Sequence, residues 1–388
     1  MPAKTQSPSN SPADILDLVY KRVLANLNES FLNGQFAALV EFVCRCSNLA
    51  GTRFLMACLL AKLSHPELDI RKPYTEIGGT GVYSGRYYDE TYVGPFAFKH
   101  ELPVNATTSF LTPAFRTNKT SIAPGVQLVG RPRQLYVNVV ELITLVHKDI
   151  VAAESILAEI VRWLLLIREE RQQRVSTLLA ALAPSQNDSS LPAESIITLI
   201  VQHLALPKSA RLPVIMVAAA YQAAQKHLGE RPLPLQGHNA ADRQTGALGD
   251  LEIILEDENR VVTVYEMKAK RITPTDIEIA LQKIAEMNYK IDNYIFITTD
   301  KIDDDVQEYS ASLYALTGIE FVILDCIGFL RHFLHLFYRA RMTFLEAYQA
   351  LVISEPDSAI NPSLKEAFLS LRVATETGVS QLIQGEEE

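Results

Sequence analysis

GALGDLEIILEDENRVVTVYEMKAKR, Gly246 to Arg271, holds two apolar runs separated by a short polar one. Leu251–Leu255 and Val261–Lys268 read as strands, and Glu256–Asn259 as the turn between them. The second run stays apolar until it meets Glu266, Met267, Lys268, Ala269, Lys270 and Arg271. Desolvating a carboxylate and an ammonium is costly, so either the strand surfaces there or the charges do chemistry. Strand side chains alternate, which puts Glu266 and Lys268 on one face. Asp250 opens the neighbouring strand, and a hairpin brings its carboxylate toward that of Glu266. Two close carboxylates repel unless a cation or a proton comes between them. A few hard oxygens suit Mg²⁺, which keeps waters and takes its remaining ligands from a substrate phosphate. A lysine beside such an ion can orient an attacking water. Asp250, Glu266 and Lys268 therefore fit metal-assisted phosphodiester hydrolysis, with Asp250 and Glu266 as metal ligands. The competing reading is a solvated strand end with a surface salt bridge. Glu252 shares the face of Asp250, as a further ligand or as a solvent-exposed residue.

Downstream, Thr273, Pro274 and Asp276 supply an N-cap, a proline at the first helical position and a capping-box carboxylate. Ile277, Leu281 and Ile284 mark the buried face of that helix, and Gln282 faces either the site or solvent. Lys270 and Arg271 serve phosphate contact or solvation. A strand over Tyr294–Thr298, a helix over Val306–Leu316 closing at Gly318, a strand over Ile319–Asp325 and a long helix from Ile327 complete an α/β pattern. A strand ahead of Asp250 is missing from this reading; RPLPLQG, 231–237, is the only candidate.

Upstream the chain is helical. Residues 1–12 are Ser/Pro-rich and read as a disordered tail. Helices are expected near 13–31, 35–63 and from Tyr136 to Ala183, and PSQNDSSLPA, 184–193, reads as a linker. The partition is a recognition region over 13–183 and a catalytic domain over 194–388 with its core at about 212–340. The fold class is α/β (α+β): a helical N-terminal half with a loop-rich insertion, then a mixed sheet flanked by helices.

With 48% hydrophobic and 21% charged residues the chain is globular. No apolar run reaches the length of a membrane span and no signal peptide is seen, so a soluble cytoplasmic protein is expected. The four cysteines are too few for a disulfide scaffold. A net charge of −9 argues against indiscriminate coating of nucleic acid. The distribution matters more than the sum: residues 71–133 hold eight Lys/Arg against four acids. Five tyrosines interleave with the bases, and Gly78, Gly79, Gly81 and Gly85 allow close backbone approach. This segment reads as loops and short strands. Arg86 is the first candidate for base reading or phosphate clamping, followed by Asn105, Arg116 and Asn118. The alternative is a tyrosine-rich structural segment with scattered surface charge.

GDLEIILEDENRVVTVYEMKAK resembles the PD-(D/E)xK nuclease core. The longer run from His238 to Thr273, with RKPYTEIGGTGVYSGRYYDETYV and NATTSFLTPAFRTN upstream, is similar to type II restriction endonucleases of the SacI family. One departure is Gly249, which stands where the superfamily name puts a proline. The resemblance implies Asp250 and Glu266 as ligands of Mg²⁺ and Lys268 as the residue positioning water. It further implies cleavage of double-stranded DNA at a six-base palindrome, a homodimer matching that two-fold site, and a partner DNA methyltransferase. Two other readings stand beside it: a structure-selective repair or recombination nuclease on the same core, and a non-catalytic DNA-binding protein.

Overall fold

Apolar residues spaced for helices and for strands separate along the chain, and the fold separates with them. A computed structural model describes residues 11–116, 119–182, 191–235, 248–257, 260–287 and 289–385, with side chains to 378. The chain divides into two units, 1–173 and 174–388.

The first unit is helical: α1 Pro12–Ala25, α2 Gly34–Arg45, α3 Ala50–Ser64, α4 Gly85–Tyr88, α5 Gly94–Lys99, α6 Arg133–His147 and most of α7, Ala153–Ala181. The expected tail ends earlier than residue 12. The Ser11 hydroxyl accepts from Asp14 N–H and the Asp14 carboxylate accepts from Ser11 N–H, closing a capping box on α1. The expected helix over 35–63 is two helices: α2 ends at Arg45 and α3 starts at Ala50, with Asn48 Oδ1 accepting from Ala50 N–H at 3.1 Å in the turn between them. Every residue of α3 from Ala50 to Ala61 is buried, as its all-round apolar surface requires.

The segment 71–133 contains no strand among its described residues. It forms short helical turns, including a π-helical turn over Asp89–Val93, and packs into the unit's core through Tyr83, Tyr88, Phe96, Phe110 and Phe115. Its tyrosines are therefore partly core residues; the Tyr83 hydroxyl donates to Ile70 O at 2.9 Å.

The division between units falls inside α7 at 173/174, ahead of 184–193. Val175 and Leu178 of α7, and Leu182 just after it, pack in the second unit's core. Residues 183–190 lie outside the described part.

The second unit carries α8 Ala193–Leu204, α9 Leu212–Leu228, β1 Glu230–Pro232, β2 Leu251–Leu255, β3 Val261–Lys268 and α10 Pro274–Ala285. Then follow β4 Asn293–Thr298, α11 Asp304–Ser312, α12 Tyr314–Thr317, β5 Glu320–Asp325, α13 Cys326–Leu336, α14 Arg341–Ser354 and α15 Pro362–Gly385. The strands form one sheet in the order β1-β2-β3-β4-β5. The first three are antiparallel and the last three parallel. The short β1 is the strand the sequence pattern lacked. Its Glu230–Pro232 holds three residues without alternation, too few for any periodic signal.

Both faces of the parallel part are covered, which explains why β4 is apolar on both sides. Ile295 and Ile297 join Leu251, Tyr265 and Met267 against α8, α9, α13, α14 and α15. Tyr294 and Phe296 join Val264, Phe321 and Ile323 against α10 and α11. The fold is thus α+β, with a mixed sheet between helical layers.

Candidate active site

Thr273 and Asp276 fix the start of α10: Asp276 Oδ2 accepts from Thr273 N–H at 3.0 Å and from its hydroxyl at 2.7 Å. Ile277 and Ala280 then hold one side of the helix on the sheet, beside the carboxyl end of β3. There Glu266 and Lys268 alternate onto the α10 face, with Tyr265 and Met267 turned to the other core.

Lys268 Nζ donates to Glu266 Oε1 at 2.9 Å and lies 3.9 Å from Asp276 Oδ1. Burial works against its charge. The hydrogen bond and the charge of Glu266, then the charges of Asp276 and Asp250, outweigh it and raise its pKa. The ammonium thus stays protonated at neutral pH, a donor and a charge rather than a base. Glu266 Oε2 accepts from the Tyr294 hydroxyl at 3.4 Å and has Lys283 Nζ at 3.9 Å.

Asp250 sits one residue ahead of β2, whose Leu251 pairs with Tyr265. Its Oδ2 accepts from Met267 N–H at 2.7 Å, which ties it across the hairpin to the strand carrying Glu266. Burial pushes the Asp250 carboxyl above its ordinary range. The Met267 N–H pulls it down, Glu266 pushes it up again, and Arg211 and Lys268 oppose. A carboxyl pushed up by burial and by a neighbouring carboxylate, at a partly exposed strand end, offers what a hard divalent cation lacks. Asp250 and Glu266 fit Mg²⁺ as a partial ligand set that leaves positions for water and phosphate. Among the described residues no group of three or more His, Cys, Asp or Glu side chains could hold a metal.

Gly249 explains the missing proline. A Cβ there would lie 2.6 Å from Val264 Cγ1 and 2.7 Å from Tyr265 O. The backbone ahead of Asp250 passes so close to β3 that no side chain fits.

Glu252 turns its Oε1 to Leu248 N–H at 2.8 Å and closes the bend that presents Asp250. Gln282 is exposed on α10; the neighbouring Lys283 reaches Glu266 instead. Lys283 and Tyr294 were missed by sequence reasoning. Lys283 follows Asp276 by seven residues, two helical turns, and that spacing could have found it.

The remaining candidates do not join the cluster. Lys270 is 73% exposed, 4.0 Å from Asp276, and Arg271 pairs with Asp303 at 3.1 Å. In the first unit, Arg86 is exposed and pairs with Glu90 at 2.8 Å. Asn105 is half-buried and its backbone carbonyl accepts from Arg53, whereas Arg116 is exposed. Asn118 lies outside the described residues, as does His238.

A cavity of about 750 Å³ opens beyond β4 and β5, lined by Lys208, Ala269, Asp300, Lys301 and Asp325 among others. None of Asp250, Glu266 or Lys268 lines it.

Residues 188–299 match the family model of the SacI restriction endonuclease C-terminal domain, a span that includes Asp250, Glu266, Lys268 and Lys283. No curated protein matches the chain.

Proposed function

We propose that this chain, a SacI-family restriction endonuclease, hydrolyses double-stranded DNA at a six-base palindrome with Mg²⁺ held by Asp250 and Glu266. The observation that carries the reading is the convergence of Asp250, Glu266 and Lys268 at one open strand end. A PD-(D/E)xK core is the reading that a hairpin bearing Asp250 and Glu266-x-Lys268, followed by α10 and the parallel β4, supports.

The bound ion would supply charge to the phosphate and lower the pKa of a ligating water. Asp250 and Glu266 would hold it with their carboxylate oxygens. Lys268, kept protonated by Glu266, donates toward the attacking water or a phosphoryl oxygen and stabilises negative charge as it grows. The water oxygen bonds to phosphorus and gives up a proton to solvent, one P–O ester bond breaks, and the leaving oxygen takes up a proton from solvent. Asp276 steadies Lys268 from α10. A homodimer would match the two-fold site, and a companion methyltransferase would protect the host sequence.

The test is incubation of long phage or plasmid DNA with the full chain and Mg²⁺. Discrete bands are expected, and Asp250→Ala, Glu266→Ala and Lys268→Ala each slow cleavage at least ~10³-fold, about 4 kcal/mol of barrier. Cutting only at ends or junctions points to a structure-selective nuclease. Binding without cutting points to a DNA-binding protein. Wild-type cleavage by Lys268→Ala removes the site assignment.

A further inference from the structure

The carboxyl ends of β3, β4 and β5 lie in register: Lys268 pairs with Thr298, and Thr298 with Asp325. The cavity of about 750 Å³ opens past that row. Its walls include the residue that follows each strand, Ala269, Thr299 and Cys326, and part of the chain linking α8 to α9. Neighbouring strands are about 4.8 Å apart, so the cavity starts within one strand spacing of Lys268. Crevices at the carboxyl ends of parallel strands are where open sheets take ligands. The lining is mixed: Leu204, Ala205, Pro213 and Ile327 are apolar, and Lys208, Asp300, Lys301 and Asp325 bring charge. Among the described residues neither Lys208 nor Lys301 has an ion-pair partner. Lys208 also holds a left-handed backbone, φ 67°, strain of a kind that clusters at ligand clamps. Asp300 Oδ1 accepts from Lys301 N–H and Asp325 Oδ1 from Gly328 N–H, both at 2.7 Å. Each carboxylate keeps its second oxygen for a further donor. Two unpaired ammonium groups suit phosphates, and half-used carboxylates suit the amino groups of a base. The apolar surface suits the face of an unstacked base and its deoxyribose.

We propose that this cavity is a subsite for one nucleotide of the DNA strand being cut, turned out of the duplex stack beside the scissile phosphate. Lys208 and Lys301 hold its flanking phosphates, and Asp300 and Asp325 accept from the base. The inference rests on the reading of the β3 end as the cleavage site. A strand crossing the sheet end from Lys268 toward α13 brings a neighbouring nucleotide over the cavity. Thymine has no amino group to offer the carboxylates, so adenine, cytosine or guanine is the base that fits.

The experiment binds the full chain, in Ca²⁺, to a duplex whose cut position has been mapped. 2-Aminopurine, which brightens when it leaves the stack, replaces in turn the bases on either side of the cut. A severalfold rise in fluorescence is expected at one of them. Lys208→Gln and Lys301→Gln are each expected to weaken binding and to lower the slope of log affinity against log salt by about 1. Ala205→Leu and Ala210→Leu narrow the cavity from two points, and at least one of them is expected to suppress the rise while the salt slope holds. Discrete cleavage with no rise at any of these positions overturns the subsite. So does a rise that survives both alanine variants, or an unchanged slope in either lysine variant. A wild type that cuts nothing overturns the reading of the cleavage site, and this inference falls with it.

Discussion

Two charge clusters, one in each unit, are built in opposite ways. In the first, Arg53 Nε meets Asp89 Oδ1 at 2.5 Å, and both side chains are almost wholly buried. Arg53 also donates to the carbonyls of Asn105 and Ala106, and Asp89 also accepts from the Thr108 hydroxyl and Ser109 N–H. Glu159 and Arg162 repeat the pattern on α7, with Phe31 N–H on the second carboxylate oxygen. In the second unit the charges of Asp250, Glu266, Lys268 and Lys283 gather at a strand end, remain partly exposed, and include Asp250, whose carboxyl is pushed up by burial and by Glu266. A saturated network ties loops to helices and has little bonding capacity to spare for a ligand. A half-open, unbalanced one is where chemistry is found. By that criterion the network around Asp89 serves architecture, and the end of β3 is the proposed working site.

The largest expected effect that tests this contrast is on stability. Asp89→Ala leaves Arg53 buried without its carboxylate and should cost about 3–5 kcal/mol. The single tryptophan, Trp163, lies in the same unit, so its fluorescence during denaturation reports the loss. A change below about 1 kcal/mol would make the pair an ordinary surface contact and erase the contrast.

The next concerns a buried titratable group of the second unit that stands apart from the site. His203 accepts from or donates to the Tyr348 hydroxyl at 2.9 Å and the Leu364 carbonyl at 3.1 Å. Since a carbonyl can only accept, Nε2 carries the proton in the neutral ring. Burial lowers its pKa to about 4, against the smaller upward pull of the Leu364 carbonyl. The unfolded histidine titrates near 6.5, so between these values the unfolded chain holds a proton that the folded one refuses. Stability from this group is complete above pH 6.5 and falls by about 3 kcal/mol as pH drops toward 4. Urea midpoints followed by circular dichroism across that window should decline in the wild type and flatten in His203→Gln. Parallel profiles would remove the assignment.

The smallest effect sharpens the site itself. Gly249→Ala forces a Cβ onto the Tyr265 backbone and should cost about 1–3 kcal/mol. It should reduce cleavage beyond what that destabilisation explains, because Asp250 moves with it. Thermal melts and cleavage rates on the same preparations separate the two. Cleavage equal to wild type would show that Asp250 tolerates displacement.

Much of the second unit was legible because its signals are local. Val261–Lys268 alternates into its charges and forms β3 over those residues. Thr273, Pro274 and Asp276 announce α10, and the left-handed Gly318 (φ 65°) ends α12. Less was legible around Asp89 and Arg53, which are far apart in sequence and meet only through packing. A basic, tyrosine-rich stretch has the same composition whether its rings stack on a ligand or fill a core.

The sequence by itself determined the hairpin, the helix cap and the three charged residues at the strand end, since alternation and capping operate over a few neighbouring residues. The tertiary structure alone decided what each ambiguous side chain does. Successive helical residues point about 100° apart, so the seating of Ile277 and Ala280 on the sheet turns Lys283 to Glu266 and leaves Gln282 outside. The close approach of the 249 backbone to β3 demands glycine ahead of Asp250. The bend at Leu248 draws Glu252 onto a backbone N–H and away from the carboxylate pair. Each of these depends on where a second segment lies, and pairwise spacing along one chain carries no record of that.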